Sequence, residues 1–287
     1  MDRILFGDNQ FFAVNHMSDE KARAQAMRFK DTDAIMDVLD YVYDIGIRTF
    51  MCTTHDRIAE ICDRIRANPG RYRGFTMYPC MPYAHKYNNA VAELGVLAAL
   101  KKMLPGNVIG SMARGGVAVA RQDYIGIMEL LVDAEMKMFT GLETGVIFLQ
   151  NIVTDLLLGM GMIDFFAAFA DYVRENYNAE AGFITMNLPM LLQALESRGL
   201  ENPIICTSIN KIGFRMPGGK EVYEKTIASG RCRIIAMQTL AAGAVPPKEA
   251  MEYVCGRDGI SSILFGASTK EHIRQTKEMI EKFSVNG

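Results

Sequence analysis

His55 and Asp56 place an imidazole beside a carboxylate. Imidazole gives or takes a proton near neutral pH, and a neighbouring carboxylate can orient it, so the pair suits general acid–base catalysis. The same residues also read as a helix start, with Thr54 or Asp56 as the cap and His55 solvated. Further on, the run YPCMPYAHKY (78–87) is dense in groups that handle protons. Its Tyr83 or Tyr87 can serve as a phenolic acid; the plainer reading is a proline-fixed loop with packed aromatics. His16, His55, His85 and Cys80, with Asp8, are the residue types that zinc or iron takes. They lack HxH, HExxH and CxxC spacing, so no metal site is expected. Cys52, Cys80 and Cys206 fall near strand ends, where a thiol is either a nucleophile or an inert core residue. Lys211 and Arg215 can pair an anion or simply face solvent. Lys86 and Lys137 raise a Schiff-base aldolase, but that chemistry needs a lysine desolvated on a strand, and Lys137 falls in the helical pattern EMKM (135–138).

Short apolar runs alternate with longer amphipathic ones along the whole chain, and these elements must position the groups. Strands are predicted at 4–7, 47–53, 75–80, 146–150, 183–186, 204–207, 233–237 and 262–265. Helices are predicted at 33–46, 57–67, 88–104, 126–138, 163–175, 188–198, 220–229, 248–254 and 270–283. Eight strand–helix units at about 30–40 residues each are the pattern of a (β/α)8 TIM barrel, in one domain over 1–287. The stretch 106–122 reads as an insertion. An open doubly wound sheet is the rival, but no GxGxxG follows the first strand. In a barrel, function sits at the carboxyl ends of the strands. That selects Asp8, Asn9, Gln10 and His16; Cys52 to Asp56; Cys80, Tyr83, His85 and Lys86; Gln150 and Asn151; Asn187; Asn210, Lys211 and Arg215; Gln238 and Thr239; and Ser268 to Lys270.

The 287 residues carry 31 Lys+Arg against 33 Asp+Glu, a net charge of -2 that excludes a general electrostatic grip on nucleic acid. Apolar stretches are interrupted before the roughly 20 residues a membrane span needs; 146–158, for example, contains Gln150, Asn151 and Asp155. The start MDRIL lacks a signal peptide's basic region and cleavage site, so a cytoplasmic protein with six reduced cysteines is expected.

Four segments of the C-terminal half resemble the aldo-keto reductase family. FITMNLPMLLQALE (183–196) is similar to its fifth strand and helix. NPIICTSIN (202–210) is similar to its sixth strand, IIAMQTLAAGA (234–244) to its seventh and ILFGASTKEHI (263–273) to its eighth. In the first half only GIRTF (46–50) matches, against the family's GxxxxDTA. The resemblance implies NADP as cofactor. Gln238, Leu240 and Gly243 would line the pyrophosphate, Gly266, Ser268, Thr269 and Lys270 would meet the adenosine end, and Asn187 would bond the nicotinamide carboxamide. Glycine loops before a helix suit phosphate in any case, because no Cβ keeps the anion from the backbone N–H groups. The family's catalytic tetrad is not retained. Its Asp falls on Met51, its Tyr on Asp56, its Lys near Pro79 or Cys80, and its His on Gln150 or Asn151. The leading expectation is NADP-linked redox of a small carbonyl or alcohol, with His55, Asp56 and Tyr83 as the rebuilt acid–base set. The alternatives are a non-redox lyase or isomerase acting on a phosphorylated small molecule, and a catalytically silent barrel that binds or assembles.

Overall fold

The computed structural model describes residues 1–13, 19–83 and 124–284. Eight parallel strands close into a barrel in sequence order. They are β1 (Ile4–Gly7), β2 (Thr49–Thr53), β3 (Thr76–Met81), β4 (Val146–Leu149), β5 (Glu180–Thr185), β6 (Ile204–Ser208), β7 (Arg233–Met237) and β8 (Ile260–Phe265). Closure runs through β1 and β8, which pair Ile4 with Ile263 and Phe6 with Phe265. All eight predicted strands are present.

Side chains alternate across this wall, as the period of two requires. Leu5, Met51, Tyr78, Cys80, Phe148, Ile184, Cys206 and Ile235 form one cluster, which fills the lumen. Their neighbours Phe6, Phe50, Cys52, Met77, Met81 and Ile205 pack outward in a second and larger cluster. The lumen is tight beside Phe148. A Cβ at Gly182 would stand 2.3 Å from its ring, so only glycine lets β5 pass there.

Ten α-helices lie among the described residues: α1 (Asp19–Arg28), α2 (Thr32–Asp44), α3 (Asp56–Ala67), α4 (Tyr124–Met136), α5 (Asn151–Gly159), α6 (Asp164–Tyr177), α7 (Leu188–Glu196), α8 (Lys220–Ala228), α9 (Pro247–Cys255) and α10 (Lys270–Ser284). Helix α2 shows the local logic. Asp31 caps it by accepting from the Ala34 N–H at 3.0 Å, Ile35, Val38, Leu39 and Val42 bury one face, and Gly46 follows with φ +94°. Two helices escaped the sequence reading. Helix α1, DEKARAQAMR, has no apolar stripe to detect, and α5, NIVTDLLLG, is apolar on several faces. The predicted helix 88–104 and the insertion at 106–122 lie outside the described residues. No helix among the described residues is long and apolar enough to cross a membrane.

Candidate active site at the barrel mouth

The carboxyl ends of β1, β2 and β3 bring together a carboxylic acid, an imidazole and a phenol. Asp8 follows β1 directly and is only 5% exposed. Its Oδ2 accepts both the backbone N–H and the hydroxyl of Thr53, each at 2.7 Å. Burial raises the Asp8 pKa from 3.8 to about 6, and the Thr53 bonds only partly oppose it. A carboxyl poised there exchanges its proton near neutral pH.

His55 is itself the N-cap of α3, in place of the expected Thr54 or Asp56. Its Nδ1 accepts the Arg57 N–H at 3.1 Å, so the neutral ring carries its proton on Nε2. The ring stacks on Phe12 at 4.1 Å and 17°, and Tyr83 meets it in a T-shaped contact at 5.8 Å. Asp56 opens α3 and is exposed. Tyr83 is half-buried. Burial first, then the charges of Asp8 and Asp56, raise its pKa, so the phenol holds its proton. His55, Asp56 and Tyr83 thus share one region, and Asp8 stands within electrostatic reach of Tyr83.

The sequence places Asp8 among the strand-end candidates and the metal-type residues but not in the acid–base set, and it singles out no role for Glu135. Asp8 carried a positional signal as the first residue after a strand. Glu135 carried a weaker one, as one of three acids in the mostly apolar α4. It is 3% exposed. Its Oε2 accepts the Thr54 hydroxyl at 2.5 Å, and its two oxygens face the Tyr83 N–H at 3.2 and 3.3 Å.

The loops after β5, β7 and β8 hold the residues that the resemblance assigns to a dinucleotide. After β7, Gln238, Ala241 and Ala242 adopt left-handed φ of 53°, 47° and 57°, which non-glycine residues enter only at a cost. Gln238 Oε1 accepts the Ser208 hydroxyl at 2.6 Å. The N–H groups of Ala241, Gly243, Ala244 and Val245 all bond to carbonyls inside this loop, while Leu240 lends two of those carbonyls. Asn187 caps α7, accepting the Met190 N–H at 3.4 Å. At the β8 loop, Gly266 has a neighbour within the chain, since a Cβ there would stand 2.1 Å from Gln10 Oε1. Ser268 accepts from Gln25 at 3.4 Å, Thr269 Oγ1 accepts the His272 N–H at 3.2 Å, and Lys270 pairs with Asp37 at 2.7 Å.

The remaining candidates among the described residues do not join the site. All six cysteines are buried free thiols, and burial pushes Cys52, Cys80 and Cys206 well up. Among the described residues no cluster of His, Cys, Asp and Glu can hold a metal. His16, His85, Lys86 and Tyr87 lie outside those residues. Lys211 pairs with Glu249 at 2.7 Å, and Arg215 lies over the Phe214 ring. Lys137 sits in a 3-10 turn after α4, away from any strand.

No family model and no curated protein matches the sequence. Solved structures do match. One is a Pseudomonas aeruginosa protein provisionally named an aldo-keto reductase, with 13% identity, a TM-score of 0.60, and coverage of 98% of this chain and 91% of that one. A second structure of that name and organism gives 12%, 0.61, 98% and 90%. At such identities the likeness establishes the fold alone: this chain is a (β/α)8 barrel similar to the barrels of those two structures.

Proposed function

We propose that the protein is an oxidoreductase acting on a small carbonyl or alcohol at the barrel mouth, with NADP as the dinucleotide. One observation carries the reading: a nearly buried carboxyl, Asp8, held by Thr53 at the end of β1 in the part of the barrel where enzymes of this architecture work. It supplies a proton-exchanging group where the fold's usual tetrad is missing. In the reducing direction the carbonyl oxygen takes its proton from Asp8, while Tyr83, protonated, donates a hydrogen bond to the same oxygen. His55 Nε2–H offers a further donor. In the oxidising direction the Asp8 carboxylate takes the hydroxyl proton.

Bound NADP would supply or accept the hydride. The fit of the chain to that group differs at the two ends of the loop system. At the adenosine end, Lys270 and Asp37 form an exposed pair, so the lysine exchanges the carboxylate for a phosphate at little cost. Ser268, Thr269 and the first turn of α10 lie beside it. At the pyrophosphate end the β7 loop offers shape, through Gln238, Leu240 and Gly243, but the N–H groups of Ala241, Gly243, Ala244 and Val245 are engaged internally. Asn187 would reach the nicotinamide while its Oδ1 caps α7 and its Nδ2 donates to Met190 Sδ.

That internal engagement favours a second reading, a lyase or isomerase that uses the same Asp8 without a dinucleotide. Titration of the purified chain with NADPH and NADH, followed by dihydronicotinamide fluorescence, separates the two. Saturable NADPH binding that His55→Ala leaves intact supports the oxidoreductase. Folded protein that binds neither dinucleotide overturns it and leaves the non-redox reading.

A further inference from the structure

We propose that Glu135 is a positioning residue that sets the placement of Tyr83 and His55 against Asp8. The inference rests on the proposed proton-handling role of that group.

Glu135 stands behind the barrel wall, on α4, and bonds two different strand ends. Through Thr54 it holds the start of the loop that carries His55. Through the Tyr83 N–H it holds the residue two beyond the end of β3. Thr54 is fully buried, and Glu135 nearly so. A buried carboxylate is retained against its desolvation only by such bonds.

The two threonines at the end of β2 divide the work. Successive side chains on a strand point to opposite faces. Thr53 bonds Asp8 and Thr54 bonds Glu135. The Asp8 carboxyl and the loops bearing the other two proton donors are therefore referenced to adjacent residues, the last of β2 and the first beyond it. Glu135 needs no contact with substrate to act; it acts through the backbone of Tyr83 and the hydroxyl of Thr54.

Glutamine can replace it in this role. Its Oε1 accepts the Tyr83 N–H, and its Nε2 donates to Thr54 Oγ1 once that hydroxyl turns. Alanine cannot. The test uses the full chain and reads the site without turnover. The chain has four histidines, so the imidazole signals are resolvable by NMR, with His55 assigned through its loss in His55→Gln. Nitration by tetranitromethane, located by peptide mapping, reports on Tyr83. In Glu135→Ala the His55 signals are expected to shift and Tyr83 nitration to change several-fold. His272, on α10, stays unmoved. In Glu135→Gln both readouts return close to wild type. Unchanged His55 and Tyr83 in folded Glu135→Ala, an equal shift of His272, or failure of glutamine to restore the site would each overturn the proposal. Should Glu135→Ala not fold, Thr54→Val removes one of the bonds and is read for His55 in the same way. Absence of any redox activity leaves these readouts intact, so it sinks the functional reading alone.

Discussion

Gln10 occupies the space that a side chain at position 266 would need. Its Nε2 donates to the Gly7 carbonyl at 2.7 Å, and its Oε1 lies 2.1 Å from where a Cβ on Gly266 would stand. The glycine after β8 is explained by this side chain whether or not an anion ever binds there. Gly266→Ala is expected to destabilise the fold by about 1–3 kcal/mol, the usual cost of forcing extra volume into a packed site. Gln10→Ala should restore most of it, giving a double-mutant coupling of the same order. Denaturant unfolding of the four proteins measures that coupling, and additive effects would show that the two residues do not meet.

Asp8 ties stability to pH with an unusual sign for a carboxylate. Its folded pKa, about 6, lies above the ordinary 3.8. The folded state therefore binds the Asp8 proton more tightly than the unfolded state does. Below about pH 4 the carboxyl is protonated in both states and the fold bears no penalty. The penalty grows between the two values and is complete above about pH 6, at about 3 kcal/mol for a shift of this size. Asp8→Asn is expected to flatten this fall across pH 4–7 in thermal unfolding. A fall of the same size in the variant would assign it to other groups.

The same substitution bears on catalysis. Asp8→Asn should lower kcat for carbonyl reduction by about 100-fold or more, the range of a lost general acid. In the wild type, reduction should decline as pH rises past about 6, where Asp8 loses its proton, and alcohol oxidation should rise over the same interval. Steady-state kinetics in both directions, on whichever substrate is found, test the pair of limbs together.

Lys270 and Asp37 make opposite predictions for dinucleotide affinity. Lys270→Ala is expected to raise the Kd for NADPH about tenfold, equivalent to about 1.4 kcal/mol, and to leave NADH nearly unchanged. Asp37→Ala removes the carboxylate that competes for the lysine, so it should tighten NADPH. Equal losses for NADPH and NADH in Lys270→Ala would mean that the lysine meets no extra phosphate.

The thiols should be silent. Burial raises Cys62 to about 12 and Cys232 to about 11, and pushes Cys52, Cys80 and Cys206 well up. An aromatic disulfide reagent at pH 8 is expected to label them only in denaturant, since thiolate and access are both lacking. Fast labelling of native protein at Cys80 would instead mark a reactive thiol at the mouth.

The barrel was legible because each strand is a short apolar run between turn residues and each long helix has a repeating face, as in α2. Where that face was absent, in α1, or spread around the whole helix, in α5, the elements went unread. The candidate site was legible as far as strand ends locate it. His55 and Tyr83 do meet, and Asp56 acts on Tyr83 by charge. Sequence order could not reveal that position 135 returns to position 83 across 52 residues, because that contact is a product of helix packing. Nor could it tell a glycine that admits a ligand from one that admits Gln10. Both look the same until the neighbour is known.

The adjacency of Thr53 and Thr54 has a practical corollary for engineering. One backbone step separates the wet side of the wall from the seam between sheet and helices. Changes confined to that seam, around Thr54 and the inner face of α4, act on the mouth without altering the Asp8, His55 or Tyr83 side chains themselves. A library aimed at altered substrate preference should therefore include the seam, where small shifts of register move His55 and Tyr83 while their chemistry is preserved.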